Sequence, residues 1–113
     1  ELALAPSTSG AGQVVYAVSR TYNSTSYNQD IKWFRRSADG GTTWTSLTIP
    51  TFSWGGHFTS GNGYSALNLT VHPTDPNTLY AGGYDWFRST DGGSSWSAEY
   101  VRSYRSQFGA VFQ

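Results

Sequence analysis

Apolar and polar residues alternate in short segments along most of the chain. Alternation with a period of two is typical of half-buried β-strands, and these segments are rich in Val, Tyr, Trp, Phe and Thr, which favour strands. No stretch combines a helical period with capping residues. The pattern therefore predicts an all-β protein, with strands over residues 2–5, 13–19, 31–37, 43–49, 66–72, 78–82, 86–89 and 95–101.

These predicted strands belong to a repeat. The pattern S-x-D-G-G-x-[ST]-W occurs at residues 37–44 and again, 52 positions later, at residues 89–96. Three segments before the motif recur in the same order: residues 2–6 with 69–73, 15–17 with 79–81, and 33–36 with 86–88. The first aromatic segment carries one additional Arg, which indicates a bulge or a shifted strand end. The sequence thus predicts two copies of a four-stranded unit.

Each residue type in the repeated motif has a physical role in a tight hairpin. The Asp carboxylate can accept backbone N–H groups, and the two glycines supply the positive φ angles that a tight connection needs. Hydroxyl groups return to the loop, and a Trp begins the next strand with a large apolar surface. The motif therefore predicts structural roles for Ser37, Asp39, Gly41, Thr43 and Trp44 and for Ser89, Asp91, Gly93, Ser95 and Trp96.

With these residues the chain resembles the Asp-box family, whose motif is also called the bacterial neuraminidase repeat. The residues that precede the second motif, 79–83 and 86–90, match the usual lead-in of the family, and the resemblance covers residues 2–101. It implies a β-propeller in which each motif is the hairpin between the third and fourth strands of a four-stranded antiparallel blade. The family includes sialidases, xyloglucan-hydrolysing endoglucanases and sortilin-type domains, so the resemblance implies a fold more than an activity.

On this interpretation about two blades are present. The first blade covers residues 1–53, a Gly-rich aromatic loop follows at 54–65, the second blade covers 66–106, and a third begins at 107–113. A propeller needs roughly 4–8 blades, so the chain is either a segment of a longer propeller or one of several copies that assemble into a ring. The start at Glu1 without a Met and the incomplete last strand favour the first alternative. The expected partners are the remaining blades or other copies of the chain.

Charge and composition exclude several other classes of protein. Seven Lys and Arg balance seven Asp and Glu, so the basic excess of a nucleic-acid-binding protein is absent. No apolar run is long enough to span a membrane, and a chain without cysteine has no disulfide, zinc–thiolate site or cysteine nucleophile. His57 and His72 are 15 residues apart without a third ligand nearby, so neither a metal nor a cofactor is predicted. The resemblance implies a secreted or cell-surface protein of bacterial type.

Two loops carry the candidate ligand-binding residues. Residues 21–29 are rich in Ser, Thr, Asn and Tyr, and residues 52–64 combine glycines with aromatic residues. Aromatic rings in such loops are suited to stacking on sugar rings, although packing within the loop is the alternative interpretation. We therefore expect a carbohydrate or protein ligand at Trp54, His57, Phe58, Tyr64, Tyr22 and Tyr27. The sequence alone does not decide whether the two loops share one side of the molecule.

Asp30 and Asp85 are the candidates for a catalytic carboxylate. Both precede an aromatic strand at corresponding places in the two units. A glycosidase needs two carboxylates roughly 5–9.5 Å apart, although a turn residue at the start of a strand explains each Asp more simply.

Three function classes follow. The leading one is a binding or interaction scaffold for glycan or protein in a secreted or cell-surface β-propeller. The alternatives are a part of a xyloglucanase-like or sialidase-like glycoside hydrolase and a structural repeat of a large extracellular assembly. The segment by itself does not predict an enzyme.

Overall fold

A computed structural model describes residues 1–20, 31–52, 57–58, 67–82 and 86–99 of the chain. Within these ranges the chain forms eight β-strands and one 3-10 turn, η1, at Gly10–Gly12. The strands are β1 (Leu2–Leu4), β2 (Val15–Arg20), β3 (Ile31–Ser37), β4 (Thr45–Ser46), β5 (Asn68–Val71), β6 (Leu79–Gly82), β7 (Trp86–Ser89) and β8 (Ser97–Glu99). The all-β prediction is confirmed, and each of these strands lies within or next to a segment of alternating residues.

The strands form two antiparallel sheets of four strands each. Sheet 1 has the order β1-β2-β3-β4 and sheet 2 has the order β5-β6-β7-β8, so each strand pairs with its neighbours in sequence. Strand β4 is shorter than the predicted segment 43–49; at its start, the backbone N–H of Thr43 donates to the Asp39 carboxylate and does not join the ladder. The predicted third unit at residues 107–113 lies outside the described residues.

The two sheets have matching registers. In sheet 1 Val15 pairs with Ser37, and in sheet 2 Leu79 pairs with Ser89, which is the corresponding residue of the repeat. Measured from these serines, Phe34 is three residues upstream and Phe87 is two residues upstream, because the first copy has the additional Arg. Successive side chains of a strand point to opposite faces, so the two phenylalanines lie on opposite faces of their sheets.

The extra residue of the first copy is accommodated at the far end of β3. There the β2–β3 register shifts between Ser19 and Arg20, as in a β-bulge. Because of this shift the pairing from Val15 to Ser19 stays regular.

The main core lies between the two sheets. Phe34 of sheet 1 packs against Trp96 of the second motif, with ring centroids 5.5 Å apart, and Phe52 packs edge-on against Phe87 of sheet 2 at 5.3 Å. One cluster of buried residues joins the two sheets and includes Tyr16, Val18, Ile31, Phe34, Phe52, Phe58, Leu69, Val71, Leu79, Ala81 and Phe87. Burial of these side chains drives the packing of sheet on sheet.

Each sheet therefore has an inward face and an outer face. The inward face of sheet 1 carries Tyr16, Phe34 and Arg36, and the inward face of sheet 2 carries Leu69, Val71 and Phe87. By strand alternation, Leu2, Leu4 and Trp44 lie on the outer face of sheet 1, and Tyr80, Trp86 and Arg88 lie on the outer face of sheet 2.

Candidate functional site

The first Asp-Gly-Gly loop, residues 37–44, is closed by hydrogen bonds to the Asp39 carboxylate. Ser37 Oγ donates to Asp39 Oδ1 over 2.8 Å, and the backbone N–H of Thr43 donates to the same oxygen over 2.8 Å. Thr43 Oγ1 donates to Oδ2 over 2.5 Å, and the N–H of Gly41 donates to Ser37 Oγ over 2.9 Å. Gly40 and Gly41 have φ angles of 73° and 97°, which confirms the predicted positive φ. Both oxygens of the carboxylate are engaged by the loop itself.

The second Asp-Gly-Gly loop, residues 89–96, repeats this arrangement. Ser89 Oγ donates to Asp91 Oδ1 over 2.8 Å, and Ser95 donates its N–H to Oδ1 over 3.0 Å and its hydroxyl to Oδ2 over 2.5 Å. The N–H of Gly93 donates to Ser89 Oγ over 2.8 Å. The equivalent bonds in both loops show that the repeated residues build the same hairpin twice.

These hydrogen bonds stabilise the ionised form of both carboxylates. The hydroxyl of Thr43, then its backbone N–H and the Ser37 hydroxyl, lower the pKa of Asp39 to about 2. In the same way Ser95 and then Ser89 lower the pKa of Asp91 to about 2. A carboxylate with so low a pKa is a poor general acid at neutral pH. The chemistry of both loops is therefore structural.

Asp75 has a similar structural role in the turn between β5 and β6. Its Oδ2 accepts the Thr78 hydroxyl over 2.7 Å, and its Oδ1 accepts the Asn77 N–H over 3.0 Å. These two bonds, the Thr78 bond first, lower the pKa of Asp75. Three of the acidic residues are thus occupied by their own turns.

A polar cluster joins the two sheets beside the second Asp-Gly-Gly loop. Arg36 of β3 donates from Nε to Tyr16 Oη over 3.1 Å and from Nη2 to Asn77 Oδ1 over 2.9 Å. Tyr16 Oη in turn donates to the Pro76 carbonyl over 2.7 Å, and burial raises the pKa of this hydroxyl. Trp96 Nε1 donates to the Thr48 carbonyl over 2.8 Å. Sheet 1 thus binds the turn and the Trp of sheet 2 through specific hydrogen bonds.

A shallow cleft of about 190 Å³ opens beside this cluster. Its walls combine cationic, anionic and apolar groups, but the Arg36 guanidinium and the Asp91 carboxylate that face it are already hydrogen-bonded within the protein. The lining residues are Arg36, Thr45, Leu47, Asn77, Asp91, Gly92 and Ser94. The cleft is therefore a gap between the two sheets and has no charged group left for a ligand at Arg36 or Asp91.

His57 joins the bases of the two predicted ligand-binding loops. Its Nδ1 accepts the backbone N–H of Ile31, the residue that begins β3, over 3.2 Å, and Thr51 and His57 form an isolated antiparallel bridge. Since Nδ1 accepts here, a neutral imidazole carries its proton on Nε2. This hydrogen bond therefore joins the start of β3, which directly follows residues 21–30, to His57.

Phe58, the next residue, belongs to the core. Its side chain is fully buried and its ring centroid lies 6.3 Å from that of Phe34. Its backbone N–H donates to the Pro50 carbonyl over 3.0 Å. The buried ring therefore attaches residues 57–58 to the core.

Strand order determines at which end of the sheets each connection begins. In an antiparallel sheet, successive connections alternate between the two ends. The Asp-Gly-Gly loops follow β3 and β7, whereas residues 21–30 follow β2, residues 83–85 follow β6, and the chain runs from β4 to β5 through residues 47–67. Residues 21–30 and 83–85 therefore join strands at the edge opposite the Asp-Gly-Gly loops, which we call the loop end. Residues 47–67 begin beside the second Asp-Gly-Gly loop, and the Ile31–His57 bond brings His57 to the loop end. The number of predicted strands before each connection within a sheet would have shown from the sequence which edge it lies on.

Most of the predicted site residues are in those connections and lie outside the described residues: Tyr22, Tyr27, Asp30, Trp54, Tyr64 and Asp85. The structure brings the bases of two loops together through Ile31 and His57. Sequence reasoning missed the Tyr16–Arg36–Asn77 cluster, because each residue there is unremarkable until the two sheets are packed.

The described ranges show two further features of the surface and the site. They contain no group of three or more His, Asp or Glu that could hold a metal ion. Their one helical turn, η1, is far too short to cross a bilayer, and no longer apolar helix occurs among them.

Comparison of the chain with protein-family models, with curated proteins and with solved structures gave no match.

Proposed function

We propose that the chain is a segment of a secreted or cell-surface β-propeller that serves as a binding or interaction scaffold for a glycan or protein ligand. The ligand-binding side is the loop end, and the Asp-Gly-Gly loops stabilise the opposite end. The partners of its sheets are further sheets of the same repeat, in a longer chain or in other copies of this one.

The observation that carries the proposal is the hydrogen bond from Ile31 to His57. It fastens the end of residues 21–30 to the segment around His57, so the bases of two aromatic-bearing connections are held together at one edge. Loops that are anchored on a rigid sheet at a common edge are the usual location of binding residues. Tyr22, Tyr27, Trp54 and Tyr64 all belong to these connections.

Three carboxylates of the described residues have a structural role and do not supply a catalytic pair. Asp39, Asp75 and Asp91 are held ionised by hydrogen bonds from their own turns. A retaining or inverting glycosidase needs a pair of carboxyl groups that face one cleft, one of them with a raised pKa. Asp39 and Asp91 have lowered pKa values and are bound within separate hairpins.

Stacked four-stranded sheets support the propeller architecture. The two sheets are built from equivalent residues, are connected in the same order, and pack face to face through a polar cluster and a shared core. Radial repetition of such sheets is the way a propeller is formed.

The test is a binding screen of dilute wild-type protein on an array of immobilised glycans, followed by titration of the best ligand. Trp54→Ala should weaken binding about tenfold or more, since burial of one large apolar side chain contributes roughly 1.5–3 kcal/mol. Trp44→Ala, at the opposite end of the molecule, is the matched control and should bind normally.

Two results would contradict the proposal. One is an affinity that Trp54→Ala and Trp44→Ala lower equally. The other is turnover of a xyloglucan or sialyl-lactose reporter by the wild type that disappears in Asp30→Asn or Asp85→Asn, which would establish a hydrolase.

A further inference from the structure

The outer face of sheet 1 exposes apolar side chains that sheet 2 buries at the corresponding positions. Leu2 and Leu4 are 67% and 56% exposed. Their equivalents by register are Leu69 and Val71, which are only 7% and 6% exposed because that face of sheet 2 packs toward sheet 1. The outer face of sheet 1 thus has the composition of a face that another sheet covers.

The two motif tryptophans show the same difference. Trp96 reaches across to sheet 1 and donates from Nε1 to the Thr48 carbonyl over 2.8 Å. Trp44 instead donates to the carbonyl of Gly41 in its own loop over 2.9 Å and is 42% exposed. Trp44 therefore occupies the position that corresponds to Trp96, but neither of the two described sheets covers it.

The outer face of sheet 2 carries the complementary groups. Tyr80 pairs directly with Arg88 across β6 and β7, as Tyr16 pairs with Arg36 across β2 and β3. In sheet 1 this Tyr–Arg pair binds the turn at Pro76 and Asn77 of the next sheet. Tyr80 and Arg88 present the same two side chains on the opposite side of the molecule.

Sheet 1 also has the turn that such a pair binds. The carbonyl of Asn77 accepts the N–H of Gly92 over 2.9 Å, and the carbonyl of Gln13 accepts the N–H of Gly40 over 3.0 Å. Gln13 is thus the equivalent of Asn77, with an amide side chain in both cases. Gly12 is the equivalent of Pro76.

We propose that two copies of this chain associate head to tail, with the outer face of sheet 2 of one copy on the outer face of sheet 1 of the next. Arg88 and Tyr80 of one copy contact Gln13 and the Gly12 carbonyl of the other, and Leu2, Leu4 and Trp44 become covered. The contact repeats the interface between sheets 1 and 2 within one chain. The zero net charge of the chain does not oppose association.

This interface is heterologous, because two different surfaces meet. Repetition of such a contact gives a ring when the rotation closes and an open filament when it does not. The inference uses the repeat architecture of the proposed function but not its ligand.

The first experiment is sedimentation velocity of the 113-residue chain over a range of concentrations. The wild type should form species larger than a monomer as concentration rises. Leu4→Arg places an unpaired charge in the contact and should raise the concentration for half-association about tenfold or more. Leu4→Met keeps an apolar side chain and should associate as the wild type does.

The second experiment tests the head-to-tail orientation of the two copies. Because the chain has no native cysteine, only the introduced cysteines react with the cross-linker. Gly12→Cys is suitable because a Cβ at Gly12 meets no atom within 4 Å. When Gly12→Cys and Arg88→Cys chains are mixed, a short bismaleimide should link the two variants to each other much more often than either to itself. Lys32→Cys, on an exposed position of β3, replaces Arg88→Cys as the control and should give no such preference.

A monomer at every concentration, with the far-ultraviolet circular dichroism of a folded β protein, would overturn the proposal. Equal cross-linking of each variant with itself and with the other would overturn the head-to-tail arrangement. Glycan binding measured on dilute Leu4→Arg protein should be unchanged, so failure of one proposal is distinguishable from failure of the other.

Discussion

The guanidinium of Arg36 in β3 donates a 2.9 Å hydrogen bond to the side-chain oxygen of Asn77 in the turn before β6. These residues are 41 positions apart, and the bond ties the first sheet to the second. Tyr16 stands beside Arg36 and binds the neighbouring Pro76 carbonyl, so the turn is held at two successive residues.

Arg36→Ala should lower the free energy of unfolding by about 1–2 kcal/mol, since two charge-assisted hydrogen bonds are lost at a partly exposed position. Denaturant titration measures the loss. A double-mutant cycle with Asn77→Ala should give a coupling energy of about 0.5–1 kcal/mol. Additive effects of the two substitutions would contradict the bond between them.

The low pKa of Asp39 predicts how stability depends on pH. A carboxylate whose pKa is about 2 in the folded chain and near the ordinary 3.8 in the unfolded chain stabilises the fold above pH 3.8. That contribution is lost as pH falls through 3.8 toward 2, because the unfolded chain takes up the proton first. Asp91 adds a second contribution in the same range.

Asp39→Asn should therefore reduce the melting temperature at neutral pH more than at pH 2, which thermal unfolding at a series of pH values measures. Thr43→Val keeps the carboxylate but removes the hydroxyl that lowers its pKa most, so it should show a smaller change of the same sign. A pH profile of Asp39→Asn parallel to that of the wild type would show that the Asp39 pKa does not differ between the folded and unfolded states.

The second glycine of each motif allows a matched comparison. Gly41 and Gly93 have φ angles of 97° and 90°, so an Ala at either position is strained by about 1–2 kcal/mol. A Cβ at Gly93 would also lie 2.6 Å from Cδ1 of Leu47, the residue after β4, whereas a Cβ at Gly41 meets only Trp44, at 3.7 Å. Gly93→Ala should therefore destabilise the fold by about 1 kcal/mol more than Gly41→Ala in denaturant titrations. Equal losses of unfolding free energy would mean that the Leu47 side chain moves away from Gly93→Ala without destabilising the fold.

His57 should control the anchoring of Ile31. His57→Ala leaves the buried Ile31 N–H without its acceptor and should cost about 1–3 kcal/mol. His57→Asn places an oxygen close to the position of Nδ1 and should recover most of this loss. Hydrogen exchange at the Ile31 amide gives the direct readout: faster in His57→Ala and near wild-type in His57→Asn. If exchange is equally slow in both variants, Ile31 has another acceptor.

The strands and the hairpin motif were predictable because both depend on local sequence. Alternation requires only a half-buried sheet, and Asp39 and Asp91 find their hydrogen-bond donors within four residues. The loop end could have been predicted as well, by counting strands. Residues 21–30 and 83–85 fall at connections of the same parity.

The packing of the two sheets was not predictable, because it depends on residues far apart in sequence. One additional residue in the first copy turns Phe34 to the face opposite that of Phe87, and this places the two rings on the two sides of a common core. Phe58 in a Gly-rich loop fits a binding role and a core role equally by composition. The Phe58 ring is buried because it packs near Phe34, which comes from a different part of the sequence.

The parity of the strands also separates two kinds of evolutionary change. Insertions and deletions in residues 21–30 alter neither the Asp-Gly-Gly hairpins nor the pairing of Val15 with Ser37, because these residues join the sheet at the other edge. One end of the repeat is thus fixed by its own hydrogen bonds, while the other is able to diversify in length and composition. When this unit is duplicated, each new copy therefore keeps its stabilising hairpin, while its loops at the other end can change independently.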